Sequence, residues 1–215
     1  MRLTSKYSPK RLNDFIGLEE PRKIIRKWLE NPYPQSFLFV GDSGTGKTTM
    51  GEAIAQELGI DTGAPESHFS FIHIASQKCT VGAVSEIQDR LIYKPWAAFW
   101  VVLVDEADQM TAQAQVAFLS LLDHIPDNVV IIFTCNETER LESRFLSRCA
   151  VVKFSNYGLN GEGSRFLEKI WDAEYQAPVG KLFEDARPDF KRILKDARNN
   201  LRTGLMELEK QLMLS

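Results

Sequence analysis

Short apolar segments alternate with segments of helical periodicity along most of this 215-residue chain. The apolar segments have the length of β-strands and cover residues 36–40, 69–75, 99–104, 129–135 and 150–154. Apolar residues recur at helical spacing over residues 49–58, 82–94, 111–124 and 138–146. Continuous apolar strands that alternate with helices are typical of a parallel sheet covered on both faces. The pattern therefore predicts an α/β fold with five parallel strands, and we expect ligands beyond their carboxyl ends.

The last part of the chain has a different pattern. Residues 155–163 are rich in Gly and Asn, which indicates a linker. Beyond it no segment looks like a strand, and we predict two longer helices, about residues 164–176 and 188–214, with a short element between them. Pro188 is well suited to a first helical turn. The chain is thus predicted to contain a sheet domain, residues 1–155, and a small α-helical lid domain, residues 156–215.

Composition narrows the class of protein. Hydrophobic residues make up 44% and charged residues 26%, which is ordinary for a soluble globular protein. No apolar run approaches the length of a membrane span, and the first residues lack the apolar core of a secretory signal. Cys79, Cys135 and Cys149 show no C-x-x-C spacing, so we interpret them as reduced core thiols of a cytoplasmic protein. The net charge of −3 argues against a surface that coats nucleic acid extensively.

A glycine-rich loop follows the first predicted strand and precedes a predicted helix. Residues 41–48 read GDSGTGKT, which matches the phosphate-binding pattern G-x-x-x-x-G-K-T. The glycines allow backbone N–H groups to face phosphates, and the helix N-terminus adds partial positive charge. We expect Lys47 to reach the β- and γ-phosphates and Thr48 to bind Mg²⁺. The predicted nucleotide-binding residues here are Gly41, Asp42, Ser43, Gly44, Thr45, Gly46, Lys47, Thr48 and Thr49.

Two further strands end in polar residues. Asp105 and Glu106 follow the apolar run of residues 100–104. We interpret Asp105 as a second group for the Mg²⁺ coordination sphere and Glu106 as the residue that activates a water. Asn136 closes the run of residues 129–135, where it either holds the attacking water or simply forms a turn. The pair of acids has an alternative interpretation as an ordinary strand-to-loop turn.

Together these segments resemble the AAA+ ATPases, which have a P-loop NTPase fold, and specifically their clamp-loader branch. The similar segments are residues 6–17 (KYSPKRLNDFIG), 104–108 (VDEAD), 133–136 (FTCN) and 147–149 (SRC). In that family the asparagine of the FTCN-like strand senses the nucleotide, which favours a catalytic role for Asn136. The arginine of the SRC motif reaches the γ-phosphate bound to a neighbouring subunit. The resemblance therefore implies that Arg148 acts in trans in an oligomer, rather than being an ordinary surface arginine.

Two other segments resemble parts of the family that contact the base and the phosphates of the nucleotide. The family's opening segment lines the adenine site, which implies this role for Tyr7, Pro9, Ile16 and Gly17. The segment PDFKR at residues 188–192 resembles the sensor-2 helix, with Lys191 at the position where the family has arginine and Arg192 beside it. Lysine keeps the charge but lacks the forked donor geometry. The chain also departs from the family pattern at Ser8, where an arginine is usual, and at Ile74, where an asparagine is usual.

The resemblance implies an ATP- and Mg²⁺-dependent ATPase that loads a sliding clamp on primed DNA during replication. Its expected partners are neighbouring AAA+ subunits, the clamp and primer–template DNA, and no membrane. Clamp-loader subunits usually continue into a helical collar domain, which we expect this chain to lack. One alternative is a helicase loader or another DNA-linked remodeller. Another is a nucleotide-binding assembly subunit with little turnover of its own.

Overall fold

A five-stranded parallel sheet organises the fold. In the computed structural model, which describes residues 2–175 and 187–214, the strands occur in the spatial order β2-β3-β4-β1-β5. Every neighbouring pair is parallel. The strands are β1 (Gln35–Val40), β2 (Phe71–Ala75), β3 (Trp100–Asp105), β4 (Val129–Cys135) and β5 (Ala150–Lys153). The predicted α/β fold with five parallel strands is confirmed.

Helices occupy most of the segments between the strands. The α-helices are α1 (Leu3–Lys6), α2 (Glu19–Leu29), α3 (Lys47–Glu57), α4 (Val81–Leu91), α5 (Ala112–Asp123), α6 (Ser143–Leu146), α7 (Asn160–Glu174), α8 (Phe190–Asp196) and α9 (Leu201–Leu214). Short 3₁₀ turns cover Leu12–Asp14, Pro65–Phe69, Ser76–Lys78 and Ala107–Gln109. Hydroxyl side chains cap two of the helices that flank the sheet, since Thr80 accepts the Ala83 N–H and Thr111 the Ala114 N–H.

The central strands are covered on both faces. All seven residues of β4 are buried, and so are the first five of β3. Phe133 of β4 packs edge-to-face on Phe118 of α5, with 5.1 Å between ring centroids, and on Phe145 of α6, with 4.9 Å. Such burial explains why these segments are continuously apolar instead of alternating. It also leaves the strand ends as the places where polar side chains are accessible.

The chain divides into two compact units. The larger one, here called the sheet unit, comprises Pro9–Asp14 and Glu19–Phe154 and contains the whole sheet. The smaller one, the helical unit, comprises Met1–Ser8, Phe15–Leu18 and Ser155–Ser215. Met1–Ser8, Phe15–Leu18 and Ser155 belong to the helical unit, whereas the predicted sheet domain 1–155 includes them. The division into domains 1–155 and 156–215 stays a prediction.

The N-terminal segment belongs to the helical unit because of its side chains. Leu3 of α1 is buried in an apolar core with residues of α7, α8 and α9. In the same core Trp171 stacks on Tyr175, with ring centroids 4.8 Å apart. Two polar contacts add to this packing: Lys6 Nζ lies 2.6 Å from Glu174 Oε1, and the Tyr7 hydroxyl donates to the same carboxylate. The first turn of the chain is therefore held by α7 and α9.

Several predicted helix limits are wrong. The segment predicted as one helix over residues 188–214 is α8 and α9, because Arg198 and Asn199 adopt positive φ angles of 51° and 60° between them. The predicted linker is shorter, since α7 begins at Asn160. Of the helix predicted over residues 138–146, only α6 forms. The predicted helix end at Gln176 and the short element after it lie outside the described residues.

Candidate nucleotide site

The glycine-rich loop joins β1 to α3, as its sequence predicts. Gly44 and Gly46 have φ angles of 80° and 92°, which side chains rarely tolerate. Gly41 is needed for a different reason, because a Cβ atom there would lie 2.2 Å from the carbonyl oxygen of Phe154. The backbone of the loop therefore has a shape that only this pattern of glycines permits.

The remaining loop residues differ in exposure. Asp42 and Ser43 are exposed, whereas Thr45 is buried and its hydroxyl donates to the Asp42 carbonyl at 2.8 Å. Thr49 is half-buried in the first turn of α3. The buried hydroxyl of Thr45 closes the turn from within, which leaves the exposed side of the loop available to a ligand.

Lys47 lies across the loop. Its side chain is largely buried, and Nζ donates to the carbonyl oxygens of Gly41 at 2.5 Å and Asp42 at 2.9 Å. The same ammonium donates to Asn136 Oδ1 at 3.1 Å, which joins the loop to the end of β4. A charged donor is thus held at the carboxyl edge of the sheet, where the loop sequence predicts the phosphates.

Asp105 is the centre of a hydrogen-bonded group at the end of β3. Its Oδ1 accepts from the hydroxyls of Thr48 at 2.7 Å and Thr134 at 3.0 Å, and its Oδ2 lies 2.6 Å from His73 Nε2. Burial raises the pKa of the Asp105 carboxyl, but the hydrogen bonds from His73 and Thr48 outweigh it and hold the pKa below its usual value. The carboxylate is therefore ionised and orientated by three different segments of the chain.

Glu106 has an unusual backbone conformation. Its φ of 57° and ψ of 45° are in the left-handed region, which costs a residue with a side chain about 1–3 kcal/mol. The Glu106 N–H donates to Thr134 Oγ1 at 3.1 Å, so the same hydroxyl contacts both acids of the pair. The turn exposes the Glu106 side chain immediately beside Asp105. Strain of this kind is concentrated at functional sites.

The donor set fits Mg²⁺ and a nucleoside triphosphate. Mg²⁺ prefers hard oxygen ligands and usually takes only one or two from the protein, with phosphates and waters supplying the others. The Thr48 hydroxyl and the Asp105 carboxylate, hydrogen-bonded to each other, are such a pair. Within the described ranges no group of three or more His, Cys, Asp or Glu side chains forms a metal cage.

Arg148 lies at the opposite edge of the sheet from the glycine-rich loop. It precedes β5, and its carbonyl accepts the hydroxyl of Ser36, at the start of β1, at 2.5 Å. Since β1 and β5 are parallel, Arg148 is at the amino edge of the sheet, about 16 Å of strand away from the loop. Its guanidinium pairs with Asp123, with 2.6 Å between Nε and Oδ1, and donates to the Arg144 carbonyl at 2.6 Å. The structure does not bring Arg148 together with Lys47 and Asp105.

The other predicted nucleotide-binding residues are divided between the units. Pro9 is in the sheet unit, whereas Tyr7, Ile16 and Gly17 are in the helical unit. The Gly17 N–H donates to Glu162 Oε2 at 3.2 Å. Lys191 and Arg192 are exposed in the first turn of α8, which Asp189 caps by accepting the Arg192 N–H. Their roles towards the nucleotide stay predictions.

Sequence reasoning missed two members of the Asp105 group. Thr134 is a polar residue in an otherwise apolar and wholly buried strand, a signal that was available. His73 interrupts the apolar run of β2 in the same manner. Gln115, which is buried, joins α5 to the segment before α6: its Nε2 donates to the Arg140 carbonyl at 3.1 Å and its Oε1 accepts the Glu142 N–H at 2.9 Å.

Comparison with known proteins identifies the family. Residues 37–157, which include the loop, Asp105, Glu106 and Arg148, match the family model described as ATPase family associated with various cellular activities (AAA). The chain belongs to the AAA family. None of the helices within residues 2–175 and 187–214 combines the length and apolar content that a membrane crossing requires.

Among curated relatives, this AAA chain is similar to the replication factor C small subunit of Natronomonas pharaonis. They are 31% identical over 159 residues, which cover 71% of this chain and 47% of the relative. Replication factor C small subunit 1 of Pyrobaculum islandicum is 31% identical over 191 residues, 82% of this chain and 57% of the relative. The chain thus spans about half the length of the curated relatives it matches.

Solved structures share the fold of this AAA chain at lower identity. The RuvB Holliday junction branch migration motor of Thermotoga maritima has a TM-score of 0.73 and 18% identity, covering 94% of this chain and 64% of RuvB. A DNA polymerase III gamma subunit-related protein of the same organism has a TM-score of 0.60 and 19% identity, covering 89% of this chain and 58% of that protein. At such identity the likeness concerns the fold.

Proposed function

We propose that this AAA protein hydrolyses ATP in the manner of a clamp-loader subunit and uses the energy to load a sliding clamp on primed DNA. The observation that carries the proposal is the hydrogen-bonded group at the carboxyl edge of the sheet. In it, Lys47 and Thr48 of the loop meet Asn136 and Asp105, which end two neighbouring strands. The similarity to replication factor C small subunits supports the choice of clamp loading.

Binding is assigned to the loop and to the residues around it. Backbone N–H groups of residues 41–48 and the N-terminus of α3 hold the phosphates. Lys47 exchanges its contacts with the Gly41 and Asp42 carbonyls for phosphate oxygens. Mg²⁺, when bound beside Thr48 and Asp105, neutralises the charge that develops on the phosphates. Contacts of Tyr7, Pro9, Ile16, Gly17, Lys191 and Arg192 with the base and the phosphates are proposed from the resemblance to clamp-loader subunits alone.

Hydrolysis is assigned to Glu106 and Asn136. Glu106 accepts a proton from the water that attacks the γ-phosphorus, while the bond between that phosphorus and the bridging oxygen of the leaving ADP breaks. Asn136, already hydrogen-bonded to Lys47, orients this water. Glu106 is exposed, whereas the Asp105 carboxylate is held by Thr48, Thr134 and His73, which supports a separate task for each acid.

Completion of the site requires a neighbouring subunit. Arg148 is at the opposite edge of the sheet from Lys47, so it is badly placed to help its own chain but available to another. An arginine finger stabilises the charge of the transition state and increases the rate by about 10³–10⁵-fold. In the free chain Asp123 neutralises Arg148, and assembly exchanges that partner for a γ-phosphate. We therefore infer that neighbouring AAA+ subunits are its partners, and the similarity to replication factor C small subunits supports the clamp and primer–template DNA as further partners.

The test is steady-state ATP hydrolysis by the purified chain, with and without primer–template DNA and sliding clamp. We expect stimulation by DNA, and we expect Arg148→Ala to abolish it while nucleotide binding persists. Arg140→Ala, at an exposed arginine outside the SRC segment, is the matched control and retains the stimulation. Hydrolysis that Arg148→Ala leaves unchanged contradicts the proposal. DNA-stimulated hydrolysis without clamp binding favours a different DNA-linked remodeller.

A further inference from the structure

His73 contacts the same carboxylate as the loop, but from the other side. Asp105 Oδ1 is occupied by the hydroxyls of Thr48 and Thr134, whereas Oδ2 faces the His73 ring at 2.6 Å. Rotation about the Cβ–Cγ bond moves both oxygens, so a donor on Oδ2 resists it together with the two donors on Oδ1. The bond from His73 therefore helps to fix the plane of the Asp105 carboxylate.

The sheet register explains how His73 reaches this position. His73 of β2 pairs with Leu103 of β3, and Ala75 pairs with Asp105. Because side chains two residues apart share a face of the sheet, His73 and Asp105 point to the same side. β2 is an edge strand of the sheet, and His73 pairs with Leu103, two residues before Asp105. The His73 ring extends towards the carboxyl edge and reaches Oδ2.

The ring nitrogen acts as a donor. An ionised carboxylate has only acceptor sites, so the 2.6 Å contact requires a hydrogen on His73 Nε2. A charge-assisted bond of this kind is shorter and stronger than one between neutral groups. The His73 side chain is 36% exposed, which makes it a poor contributor to the core and points to a polar role.

We propose that His73 is a positioning residue for Mg²⁺: its Nε2–H holds Oδ2 of Asp105 so that the carboxylate faces the ion beside Thr48. This inference rests on the proposed function, since it concerns the same Mg²⁺–nucleotide site. Partners behind metal-ligating groups typically affect metal affinity by about 10–100-fold. His73 touches neither the ion nor the nucleotide and acts through Asp105.

The test is a Mg²⁺ titration of fluorescent ATP-analogue binding to the full chain, without any hydrolysis readout. We expect His73→Leu to raise the Mg²⁺ concentration for half-maximal binding about tenfold or more. His73→Gln, whose side-chain amide supplies a donor of similar reach, restores a value close to that of the wild type. Nucleotide affinity without Mg²⁺ is unchanged in both. His68→Leu, at an exposed histidine before β2, is the matched control and has no effect.

Two results overturn the inference, and they are distinguishable. If the wild type shows no Mg²⁺-dependent binding, the proposed function fails and this inference fails with it. If the wild type responds to Mg²⁺ and His73→Leu responds equally, or if His73→Gln is as poor as His73→Leu, only the positioning role fails. Thermal unfolding of each variant accompanies the titration. Should His73→Leu not fold, His73→Thr, a good strand former too short to reach Oδ2, replaces it.

Discussion

The two units hold their candidate functional residues in different ways. In the sheet unit, Lys47 is buried and Asp105 half-buried, and each contacts several partners, some from distant segments. In the helical unit, Lys191 and Arg192 are exposed in the first turn of a seven-residue helix. A group held by several hydrogen bonds is orientated before any ligand arrives, whereas an exposed side chain must be ordered on binding. The proposed chemistry is therefore assigned to the strand ends, and the roles of Lys191 and Arg192 stay predictions.

The two units also differ in the polar contacts that supplement their apolar cores. In the sheet unit, hydrogen bonds from Thr48, Thr134 and His73 converge on Asp105. In the helical unit, the core around Trp171 and Leu194 is supplemented by the contacts of Lys6 and Tyr7 with Glu174. Single substitutions can separate these contributions.

Glu106→Gln removes the proposed base while keeping the size of the side chain. We expect ATP hydrolysis to fall about 10²–10⁴-fold with nucleotide affinity unchanged, because general-base catalysis contributes in the transition state only. Steady-state turnover and equilibrium binding of a fluorescent nucleotide measure the two effects. Glu139→Gln, at an exposed glutamate beyond β4, is the control and keeps full activity. Retained turnover in Glu106→Gln would remove Glu106 from the mechanism.

Trp171→Ala tests the apolar core of the helical unit. Trp171 is 1% exposed, and we expect a loss of about 3–5 kcal/mol in the free energy of unfolding because a large buried ring leaves a cavity. Denaturant unfolding measures this change in the free energy of unfolding. Trp96→Ala is the control: that ring is mostly exposed and stacks on Phe69, a contact worth about 1 kcal/mol. Equal losses in the two variants would show that burial of Trp171 is not what stabilises this unit.

Thr134→Val tests the polar junction of the sheet unit with little change in volume. It leaves the Glu106 N–H without its hydroxyl acceptor and removes one donor from Asp105, which costs about 1–3 kcal/mol. We expect Thr134→Ser, which keeps the hydroxyl, to restore most of the stability and turnover. If Thr134→Val is as stable and as active as Thr134→Ser, the Thr134 hydroxyl does not stabilise the junction between Asp105 and Glu106.

Glu174→Gln has the smallest expected effect, and it depends on pH. The hydrogen bonds from Lys6 and Tyr7 hold the pKa of the Glu174 carboxyl below its usual value. The ionised carboxylate therefore stabilises the fold above the unfolded-state pKa, near 4.5, and this contribution is lost as the pH falls through the lower folded-state pKa. We expect the thermal midpoint of the wild type to fall more steeply than that of Glu174→Gln between pH 5 and about 3. Parallel curves would contradict the role of this contact.

Sequence patterns predicted most of the sheet because its strands are buried on both faces and read as continuous apolar runs. The loop was predictable because its glycines and Lys47 are adjacent in sequence. The partners of Asp105 were not, since His73 and Thr134 reach it only through the register of three strands. The break after α8 was missed because the apolar periodicity continues across Arg198 and Asn199. Their positive φ angles end the helix without changing that periodicity.

The central claim is that an arginine from a neighbouring chain completes the ATP site. A mixing experiment tests this claim most directly. Glu106→Gln and Arg148→Ala chains are each expected to be inactive alone. In a mixture with DNA and clamp, the intact Glu106 of one chain meets the intact Arg148 of the other. ATP hydrolysis that reappears on mixing, and grows with the concentration of either variant, is the predicted result. A mixture no more active than its components, beside an active wild type, would contradict the account.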